Sequence, residues 1–502
     1  MLKKETILIV GGGTGGWMTA AMLSRYLDRS LYSIELVESD EIGIIGVGEA
    51  TIPSINQFNE RVGIDFIDFM KETQATIKLG IEFVNWKKVG ESYIHPFGAF
   101  GPTVGRPDFS EAWFHLNAQG KVGNFEDYSI AAVAARANRF GQLFDKQRQK
   151  QGLLFAEHID ASLYARLLRK HSEAAGVTRH EGKITNVNLC EKSGNIASVE
   201  MEDGRKLEAD FFFDCSGFRS MLLGGALGVG FNDYSHWLPV NSAWAVQTKS
   251  PEGPTPNFTR STAHSAGWQW RIPLQHRVGN GHVFCDRFMD EDTAKQILID
   301  NLEGEMITDP RLIKFTTGYR EKFWHKNCVA IGLSSGFLEP LESTAIHVIQ
   351  VAAAHFVNIF SGSDYAQAEQ DDYNEFIRKQ YDYVRDLLVL HYKFTERDDS
   401  DFWNHVRTME IPESLQNRLA MFQHNGRIET EQNEVFAKSS WFAVAAGQGF
   451  RPKTSTSTTK SLDVDQLEQE FEAARKRFAA VVDTLPTHDQ FLSANCRAVE
   501  PS

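Results

Sequence analysis

The chain has 502 residues, of which 42% are hydrophobic and 24% are charged. This length exceeds what one hydrophobic core supports, so we expect about two to four substructures, and the composition excludes a disordered or fibrous protein. The net charge of −14, from 66 acidic and 52 basic residues, argues against a nucleic-acid-binding surface, because phosphate contacts require clustered Lys and Arg.

The cysteines and the apolar segments indicate a cellular compartment. Five cysteines are scattered along the chain without a CxxC pair, a pattern typical of a reducing compartment and not of a disulfide framework or a structural zinc site. The apolar run in MLKKETILIV is too short for a secretory signal, and no stretch approaches the ~20 apolar residues that cross a bilayer. We therefore expect a cytoplasmic protein without a bound metal and without membrane association.

The first forty residues predict a dinucleotide-binding unit. A buried parallel strand at 6–10 runs into GGGTGG, a helical pattern follows, and a second strand ends at Glu38. In this GxGxxG spacing Gly11 permits the tight turn, Gly13 lets the backbone approach a pyrophosphate, and Gly16 allows the helix to pack on the strand. The helix N-terminus then faces the phosphates, and Glu38 is placed to accept a ribose hydroxyl.

The cradle alone does not distinguish NAD from FAD. The adjacent IGIIGVGEATIPS, residues 42–54, reads as a loop that runs close to a ligand. FAD needs contacts beyond the first βαβ unit, so this loop favours FAD. Residues 75–125 are rich in Gly and aromatic residues and predict strands and loops; taken locally, Lys78 reads as a solvated lysine and His95 and Phe97 as core or turn residues.

The middle of the chain predicts a discontinuous first domain. AEHIDASLYARLLRKHSEAAGV has a helical period, KITNVNL and ASVEMEDG form a hairpin-like pair, and the strand in ADFFFDCSGFRS returns to the nucleotide domain. The insertion that follows contains GWQWRIPL, in which alternation puts Trp268 and Trp270 on one face of an extended segment as an aromatic wall.

The segment CVAIGLSSGFLEPLESTAIHV predicts a strand, a loop and a helix start. The strand spans 328–331, and Ser343 or Thr344 is a suitable N-cap for the apolar helix after it. Unpaired peptide N–H groups at such a start form a site for a small anion, and Glu342 reads locally as an acid stabilised by the helix dipole. Beyond 361 the chain is mostly helical, and the spacing from Val464 to Val481 predicts an amphipathic helix packed on the body.

The joint motifs resemble those of the flavin-dependent tryptophan halogenases over nearly the whole chain. They are GGGTGGWMTA, ATIKLG around Lys78, DCSGFRS, the W-x-W-x-I-P signature in GWQWRIP, and FLEPLEST before the late helix. The resemblance implies an α/β protein whose FAD-binding, Rossmann-like module is of the GR2 flavin-monooxygenase type and comprises residues 1–225 and 316–360. A β-rich insertion at 226–315 and a mostly helical, substrate-covering region at 361–502 complete this division.

The resemblance also implies an activity in antibiotic biosynthesis. A separate flavin reductase supplies FADH2, and O2 and chloride or bromide yield hypohalous acid, which is relayed to Lys78 for electrophilic halogenation of an aromatic ring. Lys78 and Glu342 are the implied catalytic residues, and the backbone amides of Thr344 and Ala345 bind the halide. Four residues separate flavin from substrate: Trp268, Trp270, Ile272 and Pro273.

Cofactor and substrate residues follow from the matched positions. The implied FAD-binding residues are Gly11, Gly13, Thr14, Gly16, Glu38, Ala50, Val187, Leu333 and Ile346. His95 and Phe97 match the H-x-F that sandwiches an indole ring, and Trp441 and Phe442 stand where the family's substrate-covering segment carries paired tyrosines.

Two departures shape the expected substrate. Enzymes acting on free tryptophan usually carry Gly where this chain has Ala345, and they have an acid near the paired tyrosines that SSWFAVAAGQGF lacks. We therefore expect an indole or a larger indole-containing compound in preference to free tryptophan. Leu333 stands where related hydroxylases commonly carry Asp, which counts against the first alternative, a flavin-dependent aromatic hydroxylase.

A second alternative is a flavin-binding protein without turnover, against which intact Lys78 and Glu342 count. The resemblance also allows a homodimer. The sequence leaves open the regiochemistry, the choice of halide, and whether Lys78 acts through a hydrogen bond or a haloamine.

Overall fold

A computed structural model of the chain describes residues 4–41, 48–102, 107–145 and 150–498. Residues 42–47 of the loop predicted to approach the cofactor, residues 42–54, lie outside these ranges. Within them, every helix falls short of the length and apolarity that crossing a membrane requires.

Short strands dominate the first two thirds of the chain. In chain order they are β1 (Glu5–Val10), β2 (Tyr32–Glu38), β3 (Glu49–Ala50), β4 (Thr76–Lys78), β5 (Gly80–Val84), β6 (Ser92–Pro96), β7 (Phe144–Asp145), β8 (Lys150–Gln151), β9 (Ala156–Ile159), β10 (Thr178–Glu181), β11 (Ile184–Leu189), β12 (Ile196–Met201), β13 (Lys206–Glu208), β14 (Phe211–Asp214), β15 (Phe231–Asp233), β16 (Ser242–Thr248), β17 (Thr259–His264), β18 (Gly267–Pro273), β19 (Val278–Phe284), β20 (Arg311–Lys314), β21 (Gly318–Arg320), β22 (Trp324–His325), β23 (Cys328–Ala330) and β24 (Gly336–Phe337).

Helices occur along the whole chain and dominate its last third. In chain order they are α1 (Thr14–Tyr26), α2 (Ser54–Val62), α3 (Phe66–Glu72), α4 (Phe109–Asn117), α5 (Ile130–Arg136), α6 (Ala161–Ala174), α7 (Glu291–Asp300), α8 (Ala345–Ile359), α9 (Gln367–Lys393), α10 (Asp401–Thr408), α11 (Glu413–Asn425), α12 (Lys438–Gly447), α13 (Ser457–Lys460), α14 (Val464–Asp483) and α15 (His488–Phe491).

The nucleotide-binding sheet has the predicted discontinuous connectivity. Its strand order is β10-β2-β1-β14-β23-β22, and β1 pairs in parallel with both β2 and β14, so that Val10 lies between Val37 and Asp214. These apolar runs are buried on both faces, as parallel strands covered by helices are. The pairing confirms that the strand in ADFFFD returns to the first unit, and it aligns the carboxyl ends of β1 and β2 at one edge.

A seven-stranded sheet carries the aromatic wall. Its order is β20-β16-β19-β18-β17-β5-β6, so strands of the predicted insertion at 226–315 continue into β5 and β6, which come from residues 80–96. The insertion is therefore not a separate sheet, because β17 pairs in parallel with β5. The predicted region boundaries remain a prediction, but this shared sheet places His95 of β6 and Trp268 of β18 in one layer.

A further three-stranded sheet has the order β3-β9-β4. Ala50 of β3 pairs with His158 and Lys78 of β4 pairs with Ala156, which brings the segment after the nucleotide strands next to the lysine. Among the helices, α14 has the predicted amphipathic role: Phe471 stacks on Phe109 with ring centroids 5.0 Å apart.

Candidate active site

The glycine loop after β1 has the geometry of a pyrophosphate cradle. Gly11 has φ of 112° and a side chain there would meet the Cys215 carbonyl at 2.2 Å, while one at Gly16 would meet the Gly11 carbonyl at 1.8 Å. A side chain at Gly13 would meet nothing within 4 Å. Two glycines are therefore required by packing, whereas the third leaves open space above the start of α1, where N–H groups favour an anion.

Glu38 lies against this loop. A side chain at Gly12 would reach within 1.5 Å of Glu38 Oε2, so the carboxylate stands directly beside the turn. Arg179 Nε donates to Glu38 Oε1 at 2.6 Å and Trp17 Nε1 donates to Oε2 at 3.4 Å. Open space above a glycine, a helix N-terminus and a fixed acid together fit the ADP half of FAD.

The other predicted cofactor residues lie on several different elements. Leu333 lies in the 3-10 turn that begins at Gly332. This turn approaches the start of α1, because a Cβ atom added to Gly15 would lie 3.9 Å from the Gly332 Cα. Ala50 is buried on β3, and Thr14 and Ile346 lie in the first turns of α1 and α8. Val187 is half-buried on β11. It packs against a cluster of buried apolar residues that includes Leu8, Val10 and Val37.

Lys78 is completely buried at the end of β4. Its Nζ donates to the Thr51 carbonyl at 3.0 Å and to Ser343 Oγ at 2.9 Å, and it stands 5.3 Å from the centre of the Phe97 ring. Burial lowers the pKa of Lys78 to about 7, although the charge of Glu342 opposes that change. Near neutral pH the side chain therefore exists both as an amine and as an ammonium.

Glu342 is the second of the two buried groups predicted to be catalytic. It is the last residue of the 3-10 turn Pro340–Glu342. His95 Nδ1 lies 3.0 Å and His391 Nε2 lies 2.6 Å from the same oxygen, Oε1. Burial alone raises the pKa of Glu342, but the charge interactions and hydrogen bonds of His95 and His391 together hold it well below its ordinary range. Glu342 is thus an ionised carboxylate whose Oε2 has no hydrogen-bond partner among the described residues.

His391, in the last turn of α9, is a site residue that the sequence interpretation missed. Gln448 Nε2 donates to the His391 carbonyl at 2.8 Å and lies 3.5 Å from Tyr93 Oη, and Tyr93 Oη is 3.4 Å from His391 Nδ1. If the phenol donates to Nδ1, then Nε2 carries the proton that is donated to Glu342. Burial lowers the pKa of His391, and the hydrogen bond and charge of Glu342 oppose that change. Nothing in the local sequence signals the contact.

A left-handed residue joins the turn of Glu342 to α8. Ser343 has φ of 58°, a conformation uncommon for a residue with a side chain, and it directs its hydroxyl to Lys78. Thr344 follows at the N-cap without a side-chain cap, and Ala345 is the first residue of α8. The predicted halide-binding amides therefore begin one residue after the serine that contacts Lys78.

His95 and Phe97 are brought to the same place by β6. His95 contacts Glu342, and Phe97 contacts Lys78, so the structure assembles the predicted ring-binding pair around both predicted catalytic residues.

The aromatic wall adjoins this site. Trp268 and Trp270 are buried on one face of β18 with ring centroids 6.2 Å apart at 61°, as alternation predicts. Ile272 is also buried, and the Pro273 carbonyl accepts a 2.6 Å hydrogen bond from Thr76 Oγ1 of β4. The strand of the wall is thus tied to the strand of Lys78.

Trp441 and Phe442 have other partners. Trp441 Nε1 donates to Glu434 at 3.0 Å and Arg418 stacks on its ring, while Phe442 lies edge-on to a phenylalanine cluster that includes Phe100. The recorded contacts do not join either residue to the Lys78 and Glu342 cluster, so their role at the substrate stays a prediction. The end of α12 instead presents Gln448 to it.

Comparisons with known proteins identify the family to which the chain belongs. The family profile described as tryptophan halogenase matches residues 6–464. The 7-chloro-L-tryptophan 6-halogenase KtzR of Kutzneria sp. (strain 744) is 34% identical over 515 residues, which cover 97% of this chain and 99% of the relative.

Solved structures give the same result. Xcc4156, a flavin-dependent halogenase from Xanthomonas campestris, aligns with a TM-score of 0.96 and 44% identity over 99% of this chain and 100% of that one. BrvH, a flavin-dependent halogenase from Brevundimonas sp. BAL3, aligns with a TM-score of 0.93 and 40% identity over 98% and 99% of the two chains. The chain belongs to the tryptophan halogenase family and is a flavin-dependent halogenase.

Proposed function

We propose that this enzyme uses FADH2, O2 and chloride or bromide to form hypohalous acid and halogenates an indole-type aromatic ring with it. The observation that carries the proposal is the enclosed pairing of Lys78 with Glu342 through Ser343, with His95 and Phe97 against both. A lysine without access to bulk water protects a reactive oxidant from loss. A separate flavin reductase supplies the reduced cofactor.

The cofactor is assigned to the edge of the first sheet. Gly11, Gly13, Thr14 and Gly16 hold the pyrophosphate, Glu38 accepts from the ribose, and Ala50, Val187, Leu333 and Ile346 complete the site. Reduced FAD supplies, with O2, the two-electron oxidation of halide to hypohalous acid. The backbone N–H groups of Thr344 and Ala345 hold the halide at the start of α8, where the helix dipole favours an anion.

Lys78 takes the halogen to the ring. In its ammonium form Nζ donates a hydrogen bond to hypohalous acid and polarises the oxygen–halogen bond. In its amine form Nζ bonds to the halogen, the oxygen–halogen bond breaks, and the oxygen leaves as water with the proton of the amine. A pKa near 7 makes both forms available at neutral pH, and both routes deliver electrophilic halogen to the same enclosed space.

Glu342 completes the substitution. When a ring carbon bonds to the halogen, the ring becomes cationic and must lose the proton on that carbon. Oε2 is the oxygen left free by the two histidines, so it is the atom assigned to stabilise the cation and accept the proton. His95 and His391 keep the carboxylate ionised and oriented, since both contact Oε1.

The aromatic wall separates the space in which the oxidant forms from the space in which the ring is halogenated. Trp268, Trp270, Ile272 and Pro273 form a buried strand that keeps an organic ring from the cofactor side, so that oxygen is used on halide. This arrangement favours halogenation over direct ring hydroxylation.

The substrate is proposed to be an indole or a larger indole-containing compound. The pocket residues His95 and Phe97 suit a flat ring, whereas the acid that grips a free amino acid is lacking from SSWFAVAAGQGF. Trp441 and Phe442 are proposed to shape the substrate-covering region. KtzR acts on 7-chloro-L-tryptophan by its name, so free tryptophan belongs in the substrate panel as a comparison.

The test combines the purified protein, FAD, a flavin reductase, NADH and a panel of indoles with either chloride or bromide, followed by mass spectrometry. We expect halogenated product, and its loss in Lys78→Ala but not in Lys170→Ala, which removes a lysine that is largely exposed beside Glu72. Hydroxylated product formed equally without halide would overturn the proposal. Flavin binding without any halogenated product across the panel would overturn it as well.

A further inference from the structure

Glu339 is a buried carboxyl that neither the family resemblance nor the proposed chemistry uses. It is 1% exposed and stands immediately before the 3-10 turn that carries Glu342. Tyr392 Oη donates to Glu339 Oε2 at 2.6 Å, and Trp268 Nε1 donates to the same oxygen at 3.3 Å. The other oxygen, Oε1, is buried without a hydrogen-bond partner in the described part of the chain.

The two donors come from different elements of the fold. Trp268 is the wall residue on β18, and Tyr392 follows His391 directly at the end of α9. The Trp86 ring packs against both, with centroid distances of 6.4 Å to Trp268 and 5.5 Å to Tyr392. The carboxyl is therefore enclosed in an aromatic box, in which an indole N–H has one hydrogen bond to make and needs this acceptor.

The two wall rings are held by different means. Trp270 Nε1 is buried without a partner in the described part of the chain, and its ring occupies space that Gly281 leaves open: a side chain there would meet the ring at 2.1 Å. Trp270 is thus held by shape, whereas Trp268 is held by shape and by one hydrogen bond. Removing Glu339 would leave both indole N–H groups unpaired.

One short segment therefore serves two sides of the site. Glu339 and Glu342 are three residues apart, and each is contacted by one of two consecutive residues of α9: Tyr392 contacts the first and His391 the second. The wall and the carboxylate assigned to the ring cation are consequently tied to the same turn and to the same end of α9.

We propose that Glu339 is a positioning residue, which fixes the Trp268 ring through its indole N–H and thereby sets the fraction of oxidant that ends in halogenated product. Glu339 acts through Trp268 and does not touch the substrate. The carboxyl has no cationic partner among the described residues, and burial raises its pKa to about 7. A neutral glutamine amide therefore keeps the size of the side chain and an acceptor oxygen without requiring a charge. The effect on product rests on the proposed halogenation, whereas the tether itself does not.

The test uses Glu339→Leu, Glu339→Gln and Trp268→Phe in the full-length enzyme with FAD and reductase. Losing the acceptor of a buried N–H predicts about tenfold less halogenated product per NADH consumed in Glu339→Leu. The KM for indole should stay within about twofold, since Glu339 acts through another residue. Glu339→Gln keeps an acceptor oxygen and should restore most of the coupling.

A double-mutant cycle separates the tether from general packing. In the Trp268→Phe background, which has no indole N–H, Glu339→Leu should change coupling by less than about twofold. Near-UV circular dichroism of the flavin-free variants gives the same cycle without turnover, so it still decides the tether if the wild-type enzyme halogenates nothing and the proposed function fails. The matched control is Glu157→Leu, because Glu157 is also a buried carboxyl with a raised pKa of about 8, but it lies on β9.

Wild-type coupling in Glu339→Leu, or equal losses with and without the Trp268 indole, would overturn the proposal. If Glu339→Leu does not fold, Trp268→Phe decides alone. That variant removes the N–H and leaves the carboxyl, so it must lower coupling by a similar factor; unchanged coupling overturns the proposal.

Discussion

Replacing Lys78 by methionine should make the protein more stable at low pH and less stable at high pH. The lysine is completely buried, and burial lowers its pKa from 10.5 to about 7. Methionine fills a similar volume without a charge. The difference in the free energy of unfolding between the two proteins therefore measures the cost of burying the charged form of Lys78.

The magnitude follows from linkage. Between about pH 7 and 10.5 the unfolded chain holds a proton on Lys78 that the folded chain has released, so the stability of the wild-type protein rises with pH in this window. The full window corresponds to about 5 kcal/mol. Methionine also leaves the Thr51 carbonyl and the Ser343 hydroxyl without their donor, at a cost of about 1–3 kcal/mol at every pH.

The two effects have opposite signs. Below pH 7 the variant should be more stable by about 2–4 kcal/mol, and near pH 10, where about 1 kcal/mol of the linkage term remains, it should be less stable by about 0–2 kcal/mol. Urea unfolding of the flavin-free proteins at pH 6, 8 and 10, followed by tryptophan fluorescence, measures the crossing. Lys170→Met is the control, because that ammonium lies at the surface beside Glu72. A stability difference that does not change with pH would refute the reasoning.

Three further substitutions test other parts of the site. His391→Asn removes the 2.6 Å hydrogen bond to Glu342 and should lower kcat for halogenation by about tenfold or more, measured in steady-state assays. Gly281→Ala places a side chain 2.1 Å from the Trp270 ring and should destabilise the protein by about 1–3 kcal/mol, measured by thermal unfolding. Glu38→Ala removes the acceptor beside the glycine loop and should weaken FAD binding by about tenfold, measured by flavin-fluorescence titration.

Each of these has a matched control. His405→Asn changes a histidine that is only partly buried on α10 and should keep kcat. Gly225→Ala adds a side chain whose nearest neighbour is 3.5 Å away and should leave the unfolding temperature nearly unchanged. Glu181→Ala removes another partner of Arg179 without touching the loop and should bind FAD normally. Wild-type behaviour of His391→Asn, Gly281→Ala or Glu38→Ala would contradict the contact that the substitution is designed to change.

The nucleotide-binding unit was predictable because its determinants are local. A strand, three spaced glycines, a helix and an acid lie within forty residues, and the parallel pairing of β1 with β2 follows from that order. The return of β14 was predicted from its apolar run, and KITNVNL and ASVEMEDG were predicted to form a hairpin-like pair, which β11 and β12 form. The hairpin-like pair and the glycine loop depend on neighbours close in sequence, whereas β14 pairs with a strand about 200 positions earlier and was recognised by its apolar run.

The substrate side was predictable only in part. Lys78, Glu342, His95 and Phe97 were identified by resemblance, and taken singly each looked like an ordinary core or surface residue. The place of Trp441 at the substrate stays a prediction, because the structure gives its indole N–H the Glu434 carboxylate as partner. Which side chains share a cavity depends on how the sheets and α9 pack, and spacing along the chain does not contain that information.

The sequence alone determined the class of fold, the glycine loop between β1 and α1, the pairing of Trp268 with Trp270 on one face, and the identity of the family. The tertiary structure decided what those tryptophans are attached to: Trp268 is held by Glu339, 71 positions away, and Tyr392 and His391 connect that carboxyl and Glu342 to the end of one helix. It also decided that Lys78 is buried and titrates near neutrality. The reason is physical, because burial and hydrogen-bond partnership belong to the surroundings of a group, and those surroundings exist only once distant segments have packed together.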